Sequence, residues 1–436
     1  MKLNYKRTFL IGLAFLSITG FWQMYDSIIP IILRDTFALP DGPSGLVMAL
    51  DNVLALFLLP LLGAISDRKG VRMPFIVGGT ILAVVLMMLL PILANSYGLM
   101  DPTVCLILFL AALGCLLCAM GLYRSPAVAL MADCTPKPLR SQGNAVINLM
   151  GAVGGLYALV MMKVAVTYDS DGNANYILLF ISIGAMMLIA VGVLVATIRE
   201  KKIVAEMRAI NYGVTEEEDQ GKAVETNGKS ALPPDVLRSL IMILATVALW
   251  FMGYNAVVTA FTKYATTMWS GGLSHASTCL MVATVGAVIS YIPIGQLSAR
   301  FGRRKMIQLG LAVAGAAFIV AAFYAREFRM GLYVVFVAVG FAQAAVTVNT
   351  FPMVWEISRF GNIGKYTGLY YTCSMAAQIV TPILSGFLLQ WFSYDVLFPY
   401  AAVMVIAAII PISLAKHGDN RPEKLGNKLE AFDHED

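Results

Sequence analysis

Twelve long apolar runs, each near the roughly 20 residues that a helix needs to cross a bilayer, constrain this chain more than any other feature. They lie near 8–33, 44–66, 73–95, 103–133, 141–166, 175–198, 237–262, 273–299, 304–325, 331–357, 365–390 and 395–415. Inside hydrocarbon a backbone must satisfy its own hydrogen bonds, so each run is read as a helix. The fold class is therefore an all-α polytopic membrane protein. Composition agrees, with 13% of the 436 residues charged and 59% hydrophobic, where a soluble domain has roughly 25% charged. The basic start, Met1 to Arg7, leads into an apolar stretch longer than a secretion signal's core and without a small-residue cleavage site. It is read as a retained first span.

One long polar interruption carries Glu216, Glu217, Glu218 and Asp219 and a Pro233-Pro234 break, and it divides six spans from six. The expected organisation is a bundle over 1–198, a linker over 199–236, a second bundle over 237–416 and a tail over 417–436. Basic residues gather at alternate span ends, among them Lys6, Arg7, Arg68, Lys69, Arg72, Lys137, Arg140, Arg300, Arg303, Arg304, Lys305, Arg359 and Lys365. The other ends hold Arg34, Lys163, Lys263, Arg326 and Arg329. Since positive residues are retained in the cytoplasm, both termini and the linker are expected there, with the chain in the plasma (inner) membrane. Topology thus accounts for the net charge of +5, and no nucleic-acid partner is expected. The six cysteines sit in or at the ends of apolar runs without paired loop spacing, so neither a disulfide frame nor a metal site is expected.

The loop after the second span reads Gly63-Ala-Ile-Ser-Asp67-Arg68-Lys69-Gly70-Val71-Arg72, and that after the eighth reads Gly295-Gln-Leu-Ser-Ala299-Arg300-Phe301-Gly302-Arg303-Arg304. One glycine, polar and basic pattern recurs at the same place in each half, which is what a duplicated transporter would show. This motif resembles the loop between the second and third helices of the major facilitator superfamily, with a degenerate second copy in which Ala299 replaces the acid. The resemblance spans the chain and implies two pseudo-symmetric six-helix bundles that rock about a midplane site. It also implies that Gly63, Asp67, Arg68, Gly70 and Arg72 form a cytoplasmic gate element rather than a solute site.

A narrower resemblance lies in Tyr123-Arg124-Ser125-Pro126-Ala127-Val128-Ala129-Leu130-Met131-Ala132-Asp133, followed by Pro138-Leu139-Arg140-Ser141 and Asn144-Ala145. It is similar to the sucrose:proton symporters and the wider glycoside, pentoside and hexuronide cation symporters. The functional arginine of the plant carriers would align with Val128, whereas this chain has Arg124 one turn earlier on nearly the same helix face.

A charge at the bilayer centre costs several kcal/mol even by lenient scales, so each embedded charge is a functional candidate. Asp26 stands alone between Arg7 and Arg34 and is read as a group that binds a proton or a sugar hydroxyl. An apolar cavity favours a neutral carboxyl and a nearby guanidinium an ionised one, so Asp26 with Arg124 is read as a pair that could exchange protons as access alternates. Asp51 is a candidate for cation or solute binding, its place being similar to acidic positions used for cation coupling among the melibiose-type carriers. Asp133 and Glu356 take related places near cytoplasmic loops and are expected to form gating ion pairs with Arg140 or other loop cations.

Sugar recognition uses aromatic faces for C–H surfaces and amides or carboxyls for hydroxyls. Gln23, Asn52, Asn148, Asn255 and Gln343 are the amide candidates, and Trp22, Tyr25, Tyr123, Asn144, Trp250, Tyr254, Asn349, Tyr370 and Tyr371 the wider set. Gly151, Gly154 and Gly155 make a small-residue face for close helix contact.

The expected function is proton-coupled uptake of a sugar or glycoside by alternating access, in a monomer with no cofactor beyond the coupling ion, H⁺ or else Na⁺. No GxxxxGK[ST] phosphate loop is present, so the chain encodes no ATP-driven pump of that kind. A major facilitator exporter of drugs or other small metabolites is the alternative. A receptor or membrane enzyme is more distant, since His275, His417 and His434 lie near span ends or in the tail and no nucleophile and base converge, so no catalytic residue is assigned.

Overall fold

The computed structural model describes residues 3–136, 139–168, 174–207, 233–358 and 363–419. Among these, twelve helical segments are long and apolar enough to cross a membrane. The first half contains α1 (Tyr5–Asp35), α2 (Asp41–Lys69), α3 (Met73–Asn95), α4 (Pro102–Asp133), α5 (Arg140–Ala165) and α6 (Ile177–Thr197). A two-residue ladder, β1 (Thr167–Tyr168) with β2 (Ala174–Asn175), bridges α5 and α6. A short helix, α7, occupies 200–207 within the polar interruption. The second half contains α8 (Pro234–Met268), α9 (Gly272–Phe301), α10 (Arg303–Tyr324), α11 (Gly331–Ser358), α12 (Ile363–Phe392), α13 (Leu397–Ala407) and α14 (Ile409–Leu414).

Local chemistry sets many of these bounds. The Asn4 side chain accepts from the Arg7 N–H at 3.1 Å and starts α1, while Asp101 caps α4 with Pro102 at its first position. Gly70 and Gly302, at φ of 66° and 93°, end α2 and α9 in a conformation that a side chain would strain. The twelfth run, expected as one helix, is divided: a 3₁₀ turn at Tyr394–Val396 precedes α13, and α14 begins after Ala408. Pro411 explains the second break, because it lacks an N–H and its ring crowds the carbonyl of residue 407.

Burial separates two cores. One gathers Phe21, Met87, Phe109, Leu116 and Phe180 from α1, α3, α4 and α6; the other gathers Trp250, Phe261, Phe318, Phe336 and Phe398 from α8, α10, α11 and α13. In the first, α1 and α5 meet at backbone distance, since a Cβ built on Gly154 would lie 1.9 Å from the Leu16 carbonyl oxygen. The small-residue face read from the sequence is thus a contact within one half. Because successive spans alternate in direction, the molecule has one face carrying the termini and an opposite face carrying the ends of α1 and α8.

Candidate functional site

Between the halves lies a cavity of about 860 Å³, within the range of small-molecule sites. Its first-half wall is built from Gln23 and Asp26 on α1, Asp51 and Asn52 on α2, Arg124 and Val128 on α4, and Asn144 and Asn148 on α5. Its second-half wall comes from Tyr254 on α8, Thr284 and Tyr291 on α9, Gln343 on α11, and Tyr371 and Gln378 on α12. Seven of the eight embedded candidates named for solute or ion binding therefore share one cavity. Asn255 does not line it. It follows Tyr254, which does, and one residue along a helix turns a side chain by about 100°.

The charged lining residues are Asp26, Asp51 and Arg124, all on the first half. Neither Asp26 nor Arg124 is held by a hydrogen bond or ion pair among the described residues, so both remain available to the cavity. Asp51 shares the cavity with both and is close enough to interact electrostatically with each. It also accepts from the Asn52 amide at 2.8 Å. The sequence pairs Asp26 with Arg124; in the structure each of them interacts with Asp51, Asp26 as a like charge and Arg124 as an opposite one. Beside the two acids the Tyr25 hydroxyl is fully buried with no partner, its ring fixed edge-on against Trp22 and stacked on Phe21.

Several candidates turn out to be framework. The Tyr123 hydroxyl donates to the Ala14 carbonyl at 2.9 Å and meets Ser17, and the Asn349 amide donates to the Ala345 carbonyl at 2.8 Å. Trp250 is 1% exposed and stacks on Tyr254 with ring centroids 5.2 Å apart, bracing it from behind. Thr284, Tyr291 and Gln378 were not singled out from sequence. Thr284 and Tyr291 lie seven residues apart on α9, a helical face that a polar periodicity search would have found.

On the termini-bearing face, charged groups organise each half separately. Arg72 is buried; its Nε donates to Asp133 Oδ2 at 3.0 Å and its Nη1 to Ser66 Oγ at 2.5 Å. Arg303 donates to Glu356 Oε2 at 2.9 Å in the other half. The expected ion pairs of Asp133 and Glu356 thus form with arginines at the ends of the two repeated loops, Arg72 in the first and Arg303, one residue before the matching position, in the second. The side chains of Asp67 and Arg140 lie outside the described residues, and Arg68 is exposed. Gly63 abuts the Ser125 hydroxyl of α4. Unforeseen were the two caps: Glu200 accepts from the backbone N–H groups of Arg72 and Met73, and Asp419 accepts from that of Arg304 at 2.9 Å. Each carboxylate sits at a helix N-terminus, where the peptide dipoles favour it.

On the opposite face, hydrogen bonds tie the halves together. Lys263 Nζ on α8 meets Asp41 Oδ1 on α2 at 2.5 Å, and the Tyr394 hydroxyl donates to the same oxygen at 3.0 Å. Arg34 donates to the Lys263 carbonyl at 2.9 Å, to Thr266 Oγ1 at 3.0 Å and to Thr267. Thr262 donates to the Ser27 carbonyl at 2.8 Å. A Cβ on Gly45 would lie 2.1 Å from the Pro382 carbonyl oxygen, so α2 and α12 touch there. The cavity lining stops at Asp26 and Asp51 toward this seal and reaches Met131 and Ala132 toward the termini. The cavity is therefore closed on the opposite face and approached from the face of the termini.

No curated protein matches this sequence. Among solved structures, the inward-open conformation of the xylose transporter XylE from E. coli is similar over 98% of this chain and 98% of that one, at 15% identity and a TM-score of 0.67. A mutant form of the peptide transporter POT is similar over 94% and 93%, at 14% identity and a TM-score of 0.68, and the POT family transporter PepTSo over 95% and 98%, at 11% and 0.64. At such identities the likeness is one of fold. The model of the Major Facilitator Superfamily matches residues 11–274 and 266–433, and with twelve membrane-length helical segments among the described residues, in two halves around a shared cavity, this chain belongs to that superfamily of transporters.

Proposed function

We propose that this transporter carries a neutral polyhydroxylated solute, a sugar or glycoside of disaccharide size, together with a proton, inward across the plasma (inner) membrane. The observation that carries this reading is the chemistry of the cavity's two walls. The second-half wall is neutral and presents three phenols, Tyr254, Tyr291 and Tyr371, with two amides, Gln343 and Gln378. Phenol rings suit the C–H faces of a pyranose, and amides both donate to and accept from hydroxyls. A zwitterionic peptide would leave its charged ends facing that wall without a counter-charge, which is costly away from water. An exporter of apolar drugs would leave the amides and three charges unanswered.

The coupling ion is assigned to the first-half wall. Asp26 and Asp51 against Arg124 leave one negative charge in excess among the lining residues, and one such charge in a membrane interior calls for one cation. With the basic loops placed in the cytoplasm, the sealed face is the outer one and the structure is inward-facing.

The test is a proteoliposome uptake panel of radiolabelled sugars under an imposed proton or sodium gradient, repeated with Asp26→Asn and Arg124→Ala. Gradient-driven accumulation of a sugar that collapses in Asp26→Asn is expected. Absence of accumulation for every sugar, with efflux of apolar drugs instead, would establish the exporter.

A further inference from the structure

A second cavity, of about 1020 Å³, lies on the sealed face, outside the central one. Both halves wall it: the ends of α1 and α3 and the β1–β2 ladder on one side, Thr266 and the α8–α9 turn on the other. Four aromatic side chains line it, Tyr97, Tyr168, Tyr176 and Trp269, with the amides Asn95 and Asn175 between them. Its charged lining residues, Arg34 and Asp35, are bound to each other at 2.5 Å, so it offers no net charge to an ion.

The walls differ in stiffness in a useful way. Trp269 is fixed, its indole N–H donating to the Ala325 carbonyl at 2.6 Å and its ring braced edge-on by Phe261 and Tyr264. Tyr168 is 60% exposed and free to adapt. Partial burial and then the Asp35 carboxylate push the Tyr168 phenol above its ordinary range, so it stays a hydroxyl donor. At the floor, the Arg34 guanidinium crosses the seam and gives its N–H groups to the Lys263 carbonyl, Thr266 and Thr267. That crossing is the barrier a solute from this face would meet before the deeper bond of Thr262 to the Ser27 carbonyl.

We propose that this vestibule is a docking site for a neutral polyhydroxylated solute, which competes with α8 for the N–H donors of Arg34 and so releases α1 from α8. The proposal rests on the sugar reading above and extends it to a second site and to the opening step. Fixed and adaptable aromatic faces with amides between them repeat the chemistry of the central wall. A ligand shifts a conformational balance only through contacts that differ between the two states. Here the difference is the set of Arg34 donors, held by α8 when the seam is shut and by solute hydroxyls when it parts.

The full chain in nanodiscs, titrated with radiolabelled sucrose or maltose by equilibrium dialysis, is expected to bind two molecules. Tyr168→Ala and Asn95→Ala should each weaken one site by about tenfold, the loss of one aromatic or amide contact, and Gln343→Ala should weaken the other. A second readout follows the seam itself. With the six native cysteines replaced, Ser27→Cys, buried under the seam, should react with a membrane-impermeant maleimide from this face about tenfold faster when sugar is present. Tyr168→Ala should abolish that acceleration. One molecule per chain, sensitive to Gln343→Ala and indifferent to Tyr168→Ala, would overturn the vestibule and leave the central reading standing. No binding of either sugar would overturn both.

Discussion

The buried pair Lys263–Asp41 is the seam's most consequential contact, and its removal makes a sharp prediction. Its side chains are 5% and 13% exposed, and Asp41 shares the oxygen that accepts from Lys263 with the Tyr394 hydroxyl. Breaking a buried ion pair by deleting one partner costs about 3–5 kcal/mol, because the survivor stays desolvated and uncompensated. In Lys263→Met, Asp41 keeps its Tyr394 bond, worth on the order of 1–2 kcal/mol, so the sealed state should lose about 2–3 kcal/mol relative to one in which Asp41 meets water. That is roughly a 30- to 150-fold shift in the conformational balance. Asp41→Asn should shift it further, since it leaves Lys263 beside the Arg34 guanidinium with no acid directly opposite. The double variant, Asp41→Asn with Lys263→Met, replaces the pair without orphaning a charge and should return most of the way toward wild type. Spin labels at Leu99 and Met330, exposed on this face in opposite halves, would report the seam's width by double electron-electron resonance. If either single variant keeps the wild-type distance distribution, or if the two effects simply add, the reasoning is wrong.

Other consequences are simpler to measure. Gly154→Ala should lower the thermal midpoint through overpacking of roughly 1–3 kcal/mol, because its methyl group would meet the Leu16 carbonyl. Glu200→Gln and Asp419→Asn should each cost about 1 kcal/mol of stability as caps of α3 and α10 weaken, read as a lowered melting temperature in detergent. Tyr123→Phe should cost about 1 kcal/mol through its lost bond to the Ala14 carbonyl yet leave the affinity for sugar within twofold, because its hydroxyl is committed to α1; a large loss of affinity would return it to the solute site.

Apolar runs are local, so the spans were legible: Met73–Asn95 is read to the residue and most others to within a few. The larger miss is α8, which continues from the expected end at 262 to Met268. Its last turns are polar, and only Arg34 and Asp41, more than 220 residues away, make helix there worthwhile. Embedded charge marked the central cavity for the same local reason, since a lone carboxyl in a hydrocarbon run needs no partner in view to stand out. What sequence could not supply was pairing. Arg34 and Lys263 appear in it only as exceptions to the rule that puts basic residues inside, yet they hold the seam. Asn255 shows the converse, because adjacent polar residues do not reveal which of them faces inward.

The two caps carry a consequence for how the polypeptide is assembled. Glu200 and Asp419, each just past the last span of its half, reach back to staple the third span of that same half. Each half is thereby tied from its end back to its third span, and both of these caps come from within their own half. Cut anywhere between 207 and 233, the gene should yield two fragments that insert separately and find one another in the bilayer as a working two-piece carrier.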